Sequence, residues 1–313
     1  MLILWAEKVS FMEKILKVHS VNDYADYIGA PRLHPLVSVI HYDELEHCRH
    51  SLNNYDVYAI FIADEMLESL TYGRINYDLN RHALMCVAPG QIGGKTDTGE
   101  EIHTKGWALL FAPDLLHGTS LQSEMHRYSF FSYNINEALL LSDEQRQSIV
   151  QMLELIRQEL SGGDEDEHTK RIVVAHISVV LELIGRYYAT QMAMPQRNST
   201  DILTRFENLL RHYYASNLQQ RHGLPTVKYC AQELFLSPNY FGDLVKQVTG
   251  DSATNTIRRF VMQRASALLI AGHNATQTAE ALGFEYPQHF TRQFKNYFGE
   301  TPSAFQKRRI RRD

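Results

Sequence analysis

The segment Ala231 to Gly250, AQELFLSPNYFGDLVKQVTG, is written again with changes at Ala279 to Gly299, AEALGFEYPQHFTRQFKNYFG. Ala231 and Leu234 recur as Ala279 and Leu282, 48 residues on, while Phe241, Lys246 and Gly250 recur as Phe290, Lys295 and Gly299, 49 residues on. Each copy reads as a short amphipathic helix, a tight turn and a longer helix with a polar outer face. The repeat therefore confines this part of the chain to paired helix-turn-helix units.

In the first copy Pro225 and Thr226 open a helix whose inward positions are Val227, Cys230, Ala231 and Leu234. Ser237 supplies an N-cap oxygen, and Pro238 suits the first helical position, where no amide hydrogen is needed. Phe241, Leu244, Val245 and Val248 form the expected buried stripe of the second helix, and Gly250 ends it. In the second copy Asn274 and Gln277 have capping-box spacing. Ala275, Thr278, Ala279 and Leu282 form the inner face, and Gly283 permits the turn. The next helix is predicted from about Pro287 to Phe298, buried through Phe290, Phe294 and either Tyr297 or Phe298. Thr301 and Pro302 start one more helix, which ends in the basic tail Lys307, Arg308, Arg309, Arg311 and Arg312.

Between the copies a helix is predicted from Ser252 to about Ala271, with Ile257, Phe260, Val261, Arg264, Ala265 and Leu268 in register. Twenty residues span roughly 30 Å at about 1.5 Å each, and successive major-groove faces of B-DNA lie about 34 Å apart. The spacing thus predicts two readers set one helical turn apart on one duplex.

These motifs resemble those of AraC-type bacterial transcription regulators. The resemblance rests on AQELFLSPNYF, LVKQVTG, ALGFEYPQHFTRQFKNYFGETP and the linking helix with Arg264, Ala265 and Leu269, and covers about Phe206 to Phe305. HRYSFFSYNINEALLLSDEQRQ and the two helices after it resemble a sub-group of such regulators, and the first 130 residues resemble its small cupin-like sensor barrel more distantly. The resemblance implies base contacts near the start of each second helix: Gln288, His289 and Arg292 in the second copy, and Asn239, Gly242 and Asp243 in the first. Arginine pairs with guanine and glutamine with adenine. Gly242 offers no side chain and Asp243 repels phosphate, a departure that casts the first copy as positioning more than specifying. Lys246 and Lys295 are assigned to phosphates, together with Thr226, Thr276 and Tyr240. A second departure lies at Ala275 and Thr278, where the family has larger aliphatic side chains, so this helix is expected to be held less firmly.

The whole chain is acidic, with 31 Lys and Arg against 36 Asp and Glu, but its halves differ. Residues 201–313 hold 15 basic and 9 acidic side chains, a surplus of six positive charges, which leaves an excess of eleven negative charges for residues 1–200. That division fits a DNA reader attached to an acidic module. Cys48, Cys86 and Cys230 are too dispersed for a disulfide framework, consistent with a reducing cytoplasm. The opening MLILWAEKVS is too short an apolar run for a signal peptide, and Ile172 to Tyr188 comes nearest to a membrane span but is broken by His176, Ser178, Glu182 and Arg186.

From about Leu16 to Tyr133, short β-prone runs (PLVSVIHY, YDVYAIFIAD, ALMCVAPG, GWALLFAPDLL, RYSFFSY) alternate with turns, Pro89-Gly90 and Gly93-Gly94 among them. They predict a barrel or sandwich, in agreement with the cupin-like resemblance. Eleven of the fifteen histidines fall before residue 200, yet His34, His41, His47, His50, His82, His103 and His117 lack the spacing of a metal-binding cupin enzyme. No nucleophile elbow and no phosphate-cradling glycine loop is written, so neither catalytic residues nor a cofactor or metal are expected. Ser142 and Gln145 cap a helix with Ile149, Met152, Leu153, Ile156 and Leu160 inward; SGGDEDEH is a solvated loop; and a further helix carries Ile172, His176, Val179, Val180, Leu183 and Tyr187. This helix pair either closes over the barrel or also forms a homodimer seam.

The expected fold class is α+β in two domains. They are a cupin-like barrel over 1–135 with an antiparallel helical pair over 136–194, a linker at 195–200 broken by Pro195, and an all-α double helix-turn-helix domain over 201–313. The expected function is that of a DNA-binding transcription regulator, not an enzyme. Its partners would be double-stranded DNA, a second copy of the chain, RNA polymerase and a small-molecule effector in the first domain. The alternatives are a cupin-type enzyme with a DNA-localising tail, or a helical protein-interaction module.

Overall fold

GWALLF, apolar at almost every position, becomes strand β9 (Gly106–Phe111), buried along its whole length as a strand covered on both faces must be. It lies inside a five-stranded antiparallel sheet, between β2 (Val37–His41) and β5 (Tyr58–Ala63), followed outward by β6 (His82–Val87) and β10 (Leu139–Leu141). A second sheet places β4 (Leu52–Tyr55) between β1 (Leu16–Val18), which is parallel to it, and β7 (Ile92–Gly94), which is antiparallel. A short ladder joins β3 (Cys48–Arg49) to β8 (Glu101–Ile102). The computed structural model describes residues 15–64, 82–95, 97, 99–134, 137–162, 166–193 and 197–310. It divides into two units, Met1–Gln191 and Met192–Asp313.

The two larger sheets share one core: Val18 and Tyr55 meet Ile40, Ala59, Ala108 and Leu110. Helix α1 (Val21–Ile28) closes that core with Val21, Tyr24, Ala25 and Ile28, its start fixed by a capping box between Ser20 and Asp23. The β-prone pattern had not predicted this helix. Among the described residues the strands make three separate sheets and no closed barrel, so the expectation stands as a sheet-rich unit with helices, α+β in class. Two local readings are corrected. Gly93 and Gly94 lie in β7 and not in a turn, and RYSFFSY folds into tight helical turns at Met125–Arg127 and Ser129–Ser132 after the short helix α2 (Ser120–Glu124). Aromatic packing overrides strand propensity there: Phe131 meets Tyr58 edge to face at 5.0 Å, and Phe130 stacks on Tyr188 at 5.9 Å.

Helix α3 (Asp143–Ser161) starts at the expected Ser142–Gln145 capping box and buries Ile149, Leu153, Ile156 and Leu160. Helix α4 (Glu167–Ala193) is displaced by about one position from the expected stripe. Val173, Ile177, Val180, Leu181 and Ile184 are buried, while Ile172 and Val179 are 40% and 45% exposed. By length and composition α4 could cross a membrane, but that inner face is packed within the unit. Two arginines pin α3 beside the five-stranded sheet: Arg146 forks onto Asp64, and Arg157 onto Glu44 at 2.5 and 2.8 Å.

The second unit is helical: α5 (Arg197–Ala215), α6 (Gln219–His222), α7 (Val227–Glu233), α8 (Pro238–Thr249), α9 (Ala253–Ile270), α10 (Ala275–Leu282), α11 (Pro287–Phe298) and α12 (Pro302–Ile310). Helix α5 begins inside the segment read as a linker, while Pro195 lies outside the described residues. So do Met1 to Ser10, residues 163–165 of the acidic loop, and Arg311 and Arg312 of the basic tail.

The Arg157 hydrogen bonds hold the Glu44 carboxyl at about 2, with His41 adding to them against the opposing cost of burial. A carboxyl depressed from its ordinary 4.5 adds stability that is complete above that value and is lost as pH falls towards 2. Arg157→Gln should therefore lower the melting temperature modestly near neutral pH, since Glu44 is half exposed, and should weaken the acid dependence below 4.5. Calorimetric melts that show the same loss at both ends of that range would contradict this origin.

Candidate nucleic-acid interface

The first helix-turn-helix is assembled from its caps. The Thr226 hydroxyl oxygen accepts from the Tyr229 amide at 3.1 Å and starts α7, whose Cys230 and Ala231 turn into the core. Burial pushes the Cys230 thiol up to about 12, which suits packing and not reactivity. After the turn the Ser237 hydroxyl accepts from the Tyr240 amide at 3.2 Å and Pro238 opens α8. Phe241, Leu244 and Val245 are buried, with Phe241 edge-on to Phe206 of α5 at 5.0 Å. Val248, assigned to the same stripe, is 39% exposed because the helix passes the end of the core at Val245.

The second copy repeats this with one extra residue. Asn274 and Gln277 form the expected capping box at 2.9 and 3.0 Å. Helix α10 ends at Gly283, whose φ of +85° lies in the left-handed region. Only glycine fits: a Cβ there would lie 2.9 Å from the Gly223 backbone. The added residue falls between Phe284 and Pro287, where Glu285 and Tyr286 stand in place of Ser237, and this accounts for the change of offset from 48 to 49. Phe290 and Phe294 bury α11; Phe298 joins them at 4.5 Å from Phe294, and Tyr297 is left 40% exposed. Gly250 and Gly299 both end their helices in the left-handed region.

The exposed faces of α8 and α11 correspond position by position. With the 49-residue offset Asn239 pairs with Gln288, Tyr240 with His289, Asp243 with Arg292 and Lys246 with Lys295, while Gly242 corresponds to Thr291. Gln288, His289, Arg292 and Lys295 are all exposed, as are Asn239 and Lys246, while Tyr240 and Asp243 are half-buried. Thr226 and Thr276 lie exposed at the starts of α7 and α10. Among the described residues no carboxylate comes within ion-pair distance of Lys246, Arg292 or Lys295. Their charges therefore face solvent. The sequence reading missed Tyr286, 51% exposed and edge-on to His289 at 5.4 Å. Its phenol is pushed up by a hydrogen bond to the Glu285 carboxylate and keeps its proton. The extra residue in the second turn was the available signal.

Helix α9 joins the copies with 18 residues, or about 27 Å at the standard rise. It buries Ile257, Val261, Met262, Ala265 and Leu269; Leu268 is half-buried, and Arg264, expected in register with the core, is exposed with its guanidinium 4.9 Å from the Tyr214 ring centre. In the first unit, among the described residues, no group of three or more His, Cys, Asp or Glu side chains is placed to hold a metal ion. His41 and His47 lie instead beside carboxylates, Glu44 at 3.2 Å and Glu101 at 3.0 Å.

Two capped helix-turn-helix units around one core define a nucleic-acid-binding domain, and comparison with known proteins agrees. Residues 230–308 match the family described as Helix-turn-helix domain. A Bacillus subtilis (strain 168) protein described as uncharacterized transcriptional regulatory protein YesN is 32% identical over 87 residues, which is 26% of this chain and 24% of that protein. The chain thus spans about a quarter of the length of this curated relative. Among solved structures, the C-terminal domain of the two-component response regulator yesN from Fusobacterium nucleatum is 22% identical, covering 32% of this chain and 96% of its own, with a TM-score of 0.28. ToxT from Vibrio cholerae is 12% identical over 87% of this chain and 98% of its own, with a TM-score of 0.29. The chain carries the helix-turn-helix domain of AraC-type transcription regulators.

Gly283→Ala should destabilise the second unit by about 1–3 kcal/mol, through left-handed strain and the contact with Gly223. Gly250→Ala, at another left-handed helix end but with open space around its Cβ position, should cost less. Equal melting temperatures for the two variants would refute the close-approach explanation.

Proposed function

We propose that this protein is a sequence-specific transcription regulator in which α8 and α11 enter adjacent major grooves of one duplex. The observation that carries the reading is the exposed stripe Gln288, Arg292 and Lys295 on α11, repeated in position by Asn239, Asp243 and Lys246 on α8. Side chains four and seven residues apart share one helical face, which is the face a groove-bound helix presents to base edges. Gln288 has the donor and acceptor to pair with adenine, Arg292 the fork for guanine, and His289 stands beside them. Asn239 reads from the first unit, and Asp243 accepts from a cytosine amino group. Lys246, Lys295, Thr226, Thr276 and Tyr240 face the phosphates and set register.

In this reading residues 201–313 form the DNA reader and residues 1–135 a cupin-like sensor, supported by two sheets that share one core. The sensor would take a small-molecule effector and carry no catalytic activity, and the protein would work in the cytoplasm with RNA polymerase as a further partner. The helical pair over 136–194 would serve as the dimer seam. Leu155 on α3 and Ile172 and Val179 on α4 stay 40–45% exposed, and the latter two sit seven residues apart on one face, as an interhelical seam requires.

The full chain should bind a duplex selected from a random pool. Arg292→Ala should cost about 1–3 kcal/mol and relax specificity at one position, and Lys295→Ala should weaken binding evenly and reduce the salt slope by about 1. Parent-like binding by both variants would remove the contact assignment. For the seam, sedimentation should find a dimer that Val179→Glu dissociates; a monomeric parent, or a variant that stays dimeric, would discard it.

A further inference from the structure

Helix α10 packs into the core through small side chains. It has eight residues, and its inward positions are Ala275, Thr278, Ala279 and Leu282. Thr278 is completely buried and its hydroxyl has no hydrogen-bond partner, so this position weakens the packing further. A helix of this length is marginal unless tertiary contacts hold it.

What does hold it reaches its C-terminal end. A helix leaves its last carbonyls without partners inside the helix. The amides of Gly283 and Phe284 return to Glu280 and Ala279 at 3.0 and 2.9 Å. The next two carbonyls are taken from far away in sequence: Ala281 accepts from the Gln219 side-chain amide at 3.3 Å, and Leu282 accepts from the Tyr214 hydroxyl at 3.2 Å. Tyr214 is 2% exposed, with its ring stacked on Phe260 at 6.1 Å and the Arg264 guanidinium over it, both from α9. Its neighbour Tyr213 packs edge-on to Tyr229 of α7 at 5.1 Å and donates its hydroxyl to the Gly223 carbonyl at 2.9 Å. Gly223 is the residue whose backbone presses on Gly283. The two adjacent tyrosines thus touch the first helix-turn-helix, the linking helix and the end of the second.

We propose that Tyr214 and Gln219 are positioning residues for DNA reading, which cap α10 from outside and hold the second helix-turn-helix in a set orientation to the first. The reader then begins upstream of the family-matched residues 230–308 and includes α5 and α6. The inference rests on the two-groove reading above. It assigns the angle between the copies to a bracket as well as to α9.

The test uses the full chain, with Tyr214→Phe, which keeps the ring and its cation contact, and Gln219→Leu as an independent second variant. Affinities are measured on the parent's selected duplex, on the same duplex with one half scrambled, and on one with a base pair inserted between the halves. Each variant should bind the intact duplex roughly threefold to tenfold more weakly, the range expected for one lost hydrogen bond. Each should match the parent on the scrambled duplex and show a smaller penalty for the inserted pair. Parent-like binding to the intact duplex, an equal loss on all three duplexes, or failure of both variants to fold would each overturn the positioning role. A parent that binds no duplex would instead overturn the DNA-binding reading itself.

Discussion

Two stretches of backbone, at Gly223 and Gly283, lie so close that no side chain fits between them. Around this contact the Gln219, Tyr213 and Tyr214 side chains donate to carbonyls at the same junction. A buried carbonyl without a donor is costly, so the arrangement is nearly all-or-none: helix, turn and bracket pack together or lose several hydrogen bonds at once. The exposed surface of α11 inherits its orientation from that junction. Without it, a helix as short as α10, packed through small side chains, would hold the following helix less firmly.

The first unit depends on a different device. Its helices add apolar cover, but the register of α3 beside the sheet is set by two forked arginine–carboxylate pairs at its two ends, Arg146 with Asp64 and Arg157 with Glu44. Forked pairs fix angle as well as distance, because both nitrogens must meet both oxygens. The division of charge along the chain also takes on a physical sense. Lys246, Arg292 and Lys295 stay out of ion pairs with the described carboxylates, whereas arginines of the first unit are engaged with acids. Cations with no internal partner are available to an anionic polymer.

Much of the second unit was legible because its signals are local. Ser237 with Pro238, Asn274 with Gln277, and Gly250 and Gly299 each act within a few residues of themselves, and each cap stands where its residue type requires. The polar face of α11 followed from the same periodicity. Errors came where a stripe meets an edge. Val248 runs past the core, and Ile172 and Val179 fall outside it because α4 turns by about one position from the apparent stripe. Hydrophobicity marks which residues could be buried and is silent about where the neighbouring element stops. RYSFFSY failed for a related reason, since aromatic residues favour strands only until ring contacts across the fold favour something else.

The chain's own order of residues was enough to specify the repeat, the caps, the turn glycine and the outward polar stripes, because helix starts, stops and faces are written within one or two turns. It could not specify which distant donors meet the last carbonyls of α10, or that the β-prone segments pair as three sheets. Those features depend on partners separated by tens of residues, and the choice among them is made by close packing and by the cost of leaving a buried polar group unpaired.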